Sequence, residues 1–195
     1  MERITLYVTQ SLDGFIAKKN YNINWLDEIN DKKLKNNCNN YYRKMDAILT
    51  DNNTYKKLYG HKNLINFNKN IYVLNEEKTI NQSSRHLKTV KNLKKGQKIY
   101  RIKNKNFTEF IDSNLNYLIE QIKKRKHKNI WLLAKSNILK TIVKNKLVDE
   151  MKLVIVPVNL GEGEYLFNKN SEKMCFKIQK TTILEGGVEL SYALK

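Results

Sequence analysis

Three aspartates stand near the start of the chain: Asp13, inside Ser11-Leu12-Asp13-Gly14, then Asp27 and Asp31 after Trp25. Carboxyl groups can give or take a proton, or polarise a ring nitrogen, which is the material of general acid–base chemistry. Each also has a plainer use. Asp13 beside Gly14 suits an Asx turn. Asp27 and Asp31 suit the first turns of helices, Asp31 as a cap, and Trp25 suits a core, where indoles usually bury. Glu162, between two glycines, reads as a solvent-facing turn residue. Other chemistries find less support. His61, His86 and His127 are isolated from one another and from Cys38 and Cys175, so no metal-ligand spacing is present. No serine sits in a glycine-flanked elbow and neither cysteine has a local histidine, so nucleophilic catalysis is not expected.

The elements that must carry these residues follow from apolar spacing. Ile4, Leu6 and Val8 alternate as in a strand over Arg3–Val8. Ser11–Gly14 then turns the chain, with Gly14 able to take a positive φ, into Phe15-Ile16-Ala17. Leu34, Cys38, Tyr41, Tyr42 and Met45 recur at helical spacing. Ala47-Ile48-Leu49 predicts a short buried strand, followed by a brief helix capped by Asn53 or Thr54 and ended by Gly60. Ile71–Leu74 and Ile99–Ile102 predict strands, while 75–98 is polar and poorly patterned. Thr108 is expected to cap a long helix with Ile111, Leu115, Leu118, Ile119 and Ile122 as its stripe. That helix ends in Lys123–Lys128, where cations suit the negative pole of the macrodipole.

Ile130–Leu133 is fully apolar, as in a central parallel strand. Ser136 or Asn137 caps a helix carrying Ile138, Leu139, Ile142 and Val143, and Met151–Val158 is the next buried strand. Phe176–Leu184 and Val188–Leu194, around Gly186-Gly187, close the chain as an antiparallel hairpin. Strands alternating with helices predict an α/β layer fold with a mostly parallel sheet, in one domain over residues 1–195.

Composition narrows the class. The 195 residues are 41% hydrophobic, enough for a substantial core. Net charge is +18, yet only five of the 37 basic residues are arginine, the side chain whose fork reads phosphates and bases. Lysine and asparagine abundance follows from an AT-rich coding sequence, so a nucleic-acid partner is not expected. No apolar run approaches the ~20 residues that span a bilayer, and no signal-peptide pattern opens the chain. Two distant cysteines fit a reducing cytoplasm.

Several short pieces in order carry a resemblance. They are Val8–Ala17, Trp25, Asp46–Thr50 leading into Asn53-Thr54-Tyr55, Ile71–Leu74, Ile130–Leu133 and Val148–Gly163 followed by Leu166-Phe167. Together they resemble the dihydrofolate reductase superfamily, closest to the C-terminal reductase domain of the riboflavin-biosynthesis deaminase-reductase. The resemblance implies a three-layer dihydrofolate reductase-like fold with a mostly parallel central sheet and a C-terminal antiparallel hairpin. It implies NADPH across the carboxyl ends of the central strands, with helix N-termini facing its phosphates. The residues it assigns to the cofactor are Thr9, Ala17, Thr50, Asn53, Thr54, Leu74, Asn75, Leu133, Ala134, Lys135, Ser136 and Asn137. On the substrate side it implies Asp13, Trp25 and Asp27 as catalytic residues, a carboxyl polarising the ring of a hydride acceptor.

Two turns depart from the family pattern. Asp51 and Asn52 stand where glycine and arginine are common, and Ala134-Lys135 replaces a glycine pair. An aspartate would repel a phosphate, and added Cβ atoms would crowd the approach that glycines allow. The resemblance therefore implies an NADPH-dependent reductase passing a hydride to a pterin-like or ribosylamino-pyrimidine substrate, in the manner of a 5-amino-6-(5-phosphoribosylamino)uracil reductase. The alternative is a non-catalytic nucleotide-binding protein whose cofactor site has degenerated. The expected partners are a small-molecule substrate and, as in related reductases, a second copy in a homodimer; a membrane is not among them.

Overall fold

The alternation at the start of the chain becomes β1 (Arg3–Gln10), which buries Ile4 and Leu6. A computed structural model describes residues 3–29, 32–60, 69–74, 88–92, 98–103, 107–112, 115–134, 138, 139, 141, 142, 145–167 and 175–194. After β1 come β2 (Phe15–Ala17), α1 (Trp25–Glu28) and α2 (Lys32–Arg43). Then follow β3 (Ala47–Asp51), α3 (Asn52–Gly60), β4 (Asn70–Leu74), β5 (Lys88–Asn92), β6 (Lys98–Lys103) and β7 (Phe107–Asp112). The remainder is α4 (Leu115–Lys123), β8 (Asn129–Leu133), β9 (Glu150–Ile155), β10 (Glu164–Tyr165), β11 (Phe176–Leu184) and β12 (Gly187–Leu194). The elements fall into two units, one from Met45–Ala134 and one from Arg3–Lys44 with Lys135–Lys195.

In the first unit the strands lie in the order β8-β3-β4-β7-β6-β5. The pairs β3–β8, β3–β4 and β4–β7 are parallel; β6–β7 and β5–β6 are antiparallel. Its parallel strands are almost wholly apolar because both faces are covered: Ala47, Ile48, Leu49, Val73, Ile130 and Leu132 are all buried. α4 adds Leu118, Ile119 and Ile122 to that core. The basic run after α4 is tied down at three points. Arg125 Nη2 donates to both oxygens of the buried Glu109 carboxylate, at 2.9 and 3.2 Å, and His127 Nε2 lies 2.8 Å from the Tyr72 hydroxyl. The Lys128 and Asn129 N–H groups donate to Asp46, each at 2.8 Å.

In the second unit the order is β11-β12-β9-β1, with β1–β9 parallel and the other pairs antiparallel; β2 and β10 form a small separate ribbon. α2 lays Tyr41 flat on Tyr7 of β1, ring centroids 4.1 Å apart. β11 is the edge strand, and its register slips between Ile178 and Lys180. The fold class is thus α/β, and in each unit the parallel strands are bordered by antiparallel ones.

Four expectations need correction. Thr108 and Ile111 belong to strand β7, and the helix begins only at Leu115. Ile111 is in helical phase with Leu115 and Leu118, so spacing extended the stripe one turn too far; tertiary pairing with β4 and β6 decides otherwise. β5 lies inside the region expected to be unpatterned, because its lysines hide the alternation. β9 stops at Ile155 rather than Val158, and Leu153 and Ile155 are half-buried rather than core. The cap of α3 is neither Asn53 nor Thr54 but Asp51, as shown below. The caps expected at Asp31 and at Ser136 or Asn137 lie outside the described residues.

Candidate active site

Parallel pairing carries strand ends to one edge of the first unit. Thr50 is the register partner of Leu133 on one side and of Val73 on the other, while Asp51 partners Leu74. α3 starts at the residue after β3, so Asn53 and Thr54 fall in its first turn. Of the expected cofactor residues, the structure therefore brings together Thr50, Asn53, Thr54, Leu74, Leu133 and Ala134. Asn75, Lys135, Ser136 and Asn137 lie outside the described residues. The carboxyl ends of parallel strands are where open α/β sheets take ligands, since the chain leaves in different directions there.

The first turn of α3 is already furnished with an anion. One oxygen of Asp51 accepts the Thr54 N–H at 2.9 Å, and the other accepts the Thr54 hydroxyl at 2.5 Å. Asp51 is only 4% exposed. An aspartate just before a helix is among the strongest caps, because its oxygen satisfies an N–H with no partner in the helix. That signal was present in the sequence, as an aspartate three residues before Thr54.

In the second unit the loop after β1 and the loop after β9 are one construction. Leu12 N–H donates to the Val158 carbonyl at 2.8 Å, and Val156 N–H donates to Gln10 at 3.0 Å. Asp13 closes the pair: its carboxylate accepts the Ser11 hydroxyl at 2.6 Å, the Leu160 N–H at 3.1 Å and the Gly161 N–H at 2.7 Å. The fully buried Ser11 hydroxyl also accepts the Phe15 N–H at 2.9 Å. Gly14 takes φ +94°, the conformation its glycine was expected to supply. Gly163 passes so close to Ala17 that a Cβ would collide with the Ala17 carbonyl oxygen. Phe15 packs on Tyr165 with centroids 4.5 Å apart. Thr9 and Ala17, the other two expected cofactor residues, stand in β1 and at the end of β2.

The proton-donor role expected for Asp13 does not fit this arrangement. Desolvation pulls its carboxyl upward, but the hydrogen bonds from Ser11, Leu160 and Gly161 outweigh it and hold the group below its ordinary 3.8. Asp13 is a structural acceptor that pins two loops. Trp25 is 1% exposed at the start of α1, and its Nε1–H has no hydrogen-bond partner among the described residues. A buried donor without an acceptor is costly, which makes it a natural contact for a polar ligand atom. Asp27 follows in α1. Glu162 is exposed and pairs with the exposed Lys19 at 2.7 Å, as expected of a turn residue in solvent. Burial pushes the Cys38 thiol up to about 11, so it supplies no thiolate nucleophile near neutrality.

The RibD C-terminal domain family matches residues 2–190. The chain belongs to that family. Among relatives of the RibD C-terminal domain chain described here, two uncharacterized proteins of Bacillus subtilis (strain 168) stand out. YwjB is 25% identical over 194 residues, covering 98% of both chains. YyaP is 29% identical over 188 residues, covering 95% of this chain and 91% of its own. A putative riboflavin biosynthesis protein from Shewanella sp. PV-4 has a similar structure, with TM-score 0.67 and 20% identity, covering 100% of this chain and 99% of that one. The deaminase/5-amino-6-(5-phosphoribosylamino)uracil reductase of Thermotoga maritima gives TM-score 0.65 and 13% identity, with 100% of this chain covering 57% of that one. These likenesses establish the reductase-type, dihydrofolate reductase-like fold of the RibD C-terminal domain. Among the described residues, no helix is long and apolar enough to cross a membrane.

Proposed function

We propose that this chain is a cytoplasmic reductase forming one domain over residues 1–195, acting on a small ribosylamino-pyrimidine or pterin-like substrate. The observation that carries the reading is the family match over 2–190 combined with the strand-end grouping of Thr50, Leu74, Leu133 and Ala134. NADPH, when bound, would supply the hydride. Thr9, Ala17, Thr50, Asn53, Leu74, Leu133 and Ala134, with Asn75, Lys135, Ser136 and Asn137, are the residues proposed to hold it. The first turn of α3 is the part that does not fit a phosphate, because Asp51 has taken the Thr54 donors. On the substrate side, Trp25 offers its indole N–H to a ring carbonyl or nitrogen, and Asp27 is the carboxyl proposed to polarise the ring. The test follows loss of NADPH absorbance on adding 5-amino-6-(5-phosphoribosylamino)uracil or a reducible pterin. Turnover with either supports the reading, and none with both sinks it.

Asp51 favours a second reading, a non-catalytic nucleotide-binding protein on the same scaffold; saturable nucleotide binding without turnover would select it. A homodimer belongs to the first reading. Register places Ile183 beside Val188, Ile178 beside Tyr192, and Leu190 beside Leu153, on one face of β11-β12-β9. Ile178 is 59% and Ile183 86% exposed. Apolar patches of this kind mark contact surfaces, and an Ile178→Lys, Ile183→Lys double variant should run as a monomer in sedimentation if they form this one.

A further inference from the structure

We infer that Asp51 decides which ligands the carboxyl edge of β3 accepts, by fixing a negative charge where an α/β layer would otherwise take an anion. This rests on the reductase reading above and asks what that site will tolerate. Helix N-termini attract phosphates for two reasons, the free N–H groups and the positive pole of the helix dipole. In α3 the Thr54 N–H and the positive pole are answered from within the chain. β3 passes into α3 without an intervening loop, so the side chain of the last strand residue turns directly onto the first helical turn. The Asp51 carboxylate takes the Thr54 N–H and the Thr54 hydroxyl, one on each oxygen. It does so while nearly buried, at 4% exposure, where its charge is poorly screened by water.

A phosphate arriving here meets a like charge and finds both Thr54 donors already taken. At about 5 Å, in a medium between protein and water, one such charge weakens binding roughly ten- to a hundredfold. An uncharged riboside or free base at the same place suffers no comparable penalty. Asp51 is therefore a specificity-determining residue that selects against phosphate-bearing ligands at α3, and it makes the chain a weak binder of NADPH in its natural form.

The test is calorimetric titration of the full chain with NADPH and with adenosine, for the natural protein and for Asp51→Asn and Asp51→Ser. Asparagine and serine are strong neutral caps, so both variants keep the Thr54 N–H satisfied, which thermal melting checks. Both neutral variants should bind NADPH about tenfold tighter or better. Affinity for adenosine, an uncharged riboside, should be the same in all three proteins, since the Asp51 charge acts against a charged ligand alone. Equal and tight binding of NADPH by all three proteins would overturn the inference and leave the reductase reading in place. No binding by any of them at millimolar NADPH would overturn both. An equal gain for NADPH and adenosine would assign the effect to shape and overturn the charge argument.

Discussion

Asp13 and Asp51 do the same chemistry at two scales. Each offers both carboxylate oxygens to a backbone N–H and a neighbouring hydroxyl, yet Asp13 reaches across to Leu160 and Gly161 while Asp51 takes both donors of Thr54, three residues on. The first is a long-range clasp that fixes two loops of the second unit. The second is a local cap in the first unit. The contrast teaches that an acid in a candidate site cannot be assigned a role from its type: what its oxygens already accept decides whether chemistry is left to it.

The comparison can be broken at four points, from largest effect to smallest. Gly163→Ala should be the most damaging, costing about 3 kcal/mol or more in urea unfolding, because the new Cβ meets the Ala17 backbone rather than a side chain that can move. Asp13→Ala should lower Tm clearly, and more than any change at Asp51, since three donors from two loops lose one acceptor. Its pH dependence has a definite sign. The folded group titrates below its ordinary 3.8, so its stabilisation is fully present above 3.8 and is lost as pH falls through the lowered value. An acid melt of Asp13→Asn should lack that increment of loss. Asp51→Ala should cost only about 1 kcal/mol, the usual worth of a helix cap; a cost as large as that of Asp13→Ala would erase the distinction between clasp and cap. Trp25→Phe should shift stability by less than about 1 kcal/mol, since it removes a donor with no partner among the described residues, while raising KM for the substrate. An unchanged KM would return Trp25 to the core alone.

Much of the framework was legible in the residues because burial leaves a plain mark. Ile130-Trp131-Leu132-Leu133 and Ile71-Tyr72-Val73-Leu74 are apolar on both faces and became parallel strands. The closing hairpin announced itself through Gly186-Gly187 and alternation in Val188–Leu194. β7 was misjudged because its buried Glu109 interrupts alternation, and only the partner Arg125, sixteen residues on, explains that burial. The site was half legible. Strand ends and the Ser11–Gly14 turn could be placed from pattern, and the turn reading of Asp13 foresaw a structural use. Its clasp to Leu160 and Gly161 could not be foreseen, because no local signal links positions 147 residues apart. Asp51 was read for its charge toward a cofactor, when its first neighbour is the helix it opens.

β11 has a further consequence. Nine extended residues along an outer margin are a template on which other chains could stack without limit. The slipped register after Ile178 kinks that margin, and Lys177 and Lys180 stand exposed on either side of the kink. The protein can thus keep a greasy rim in a crowded cell without seeding fibrils.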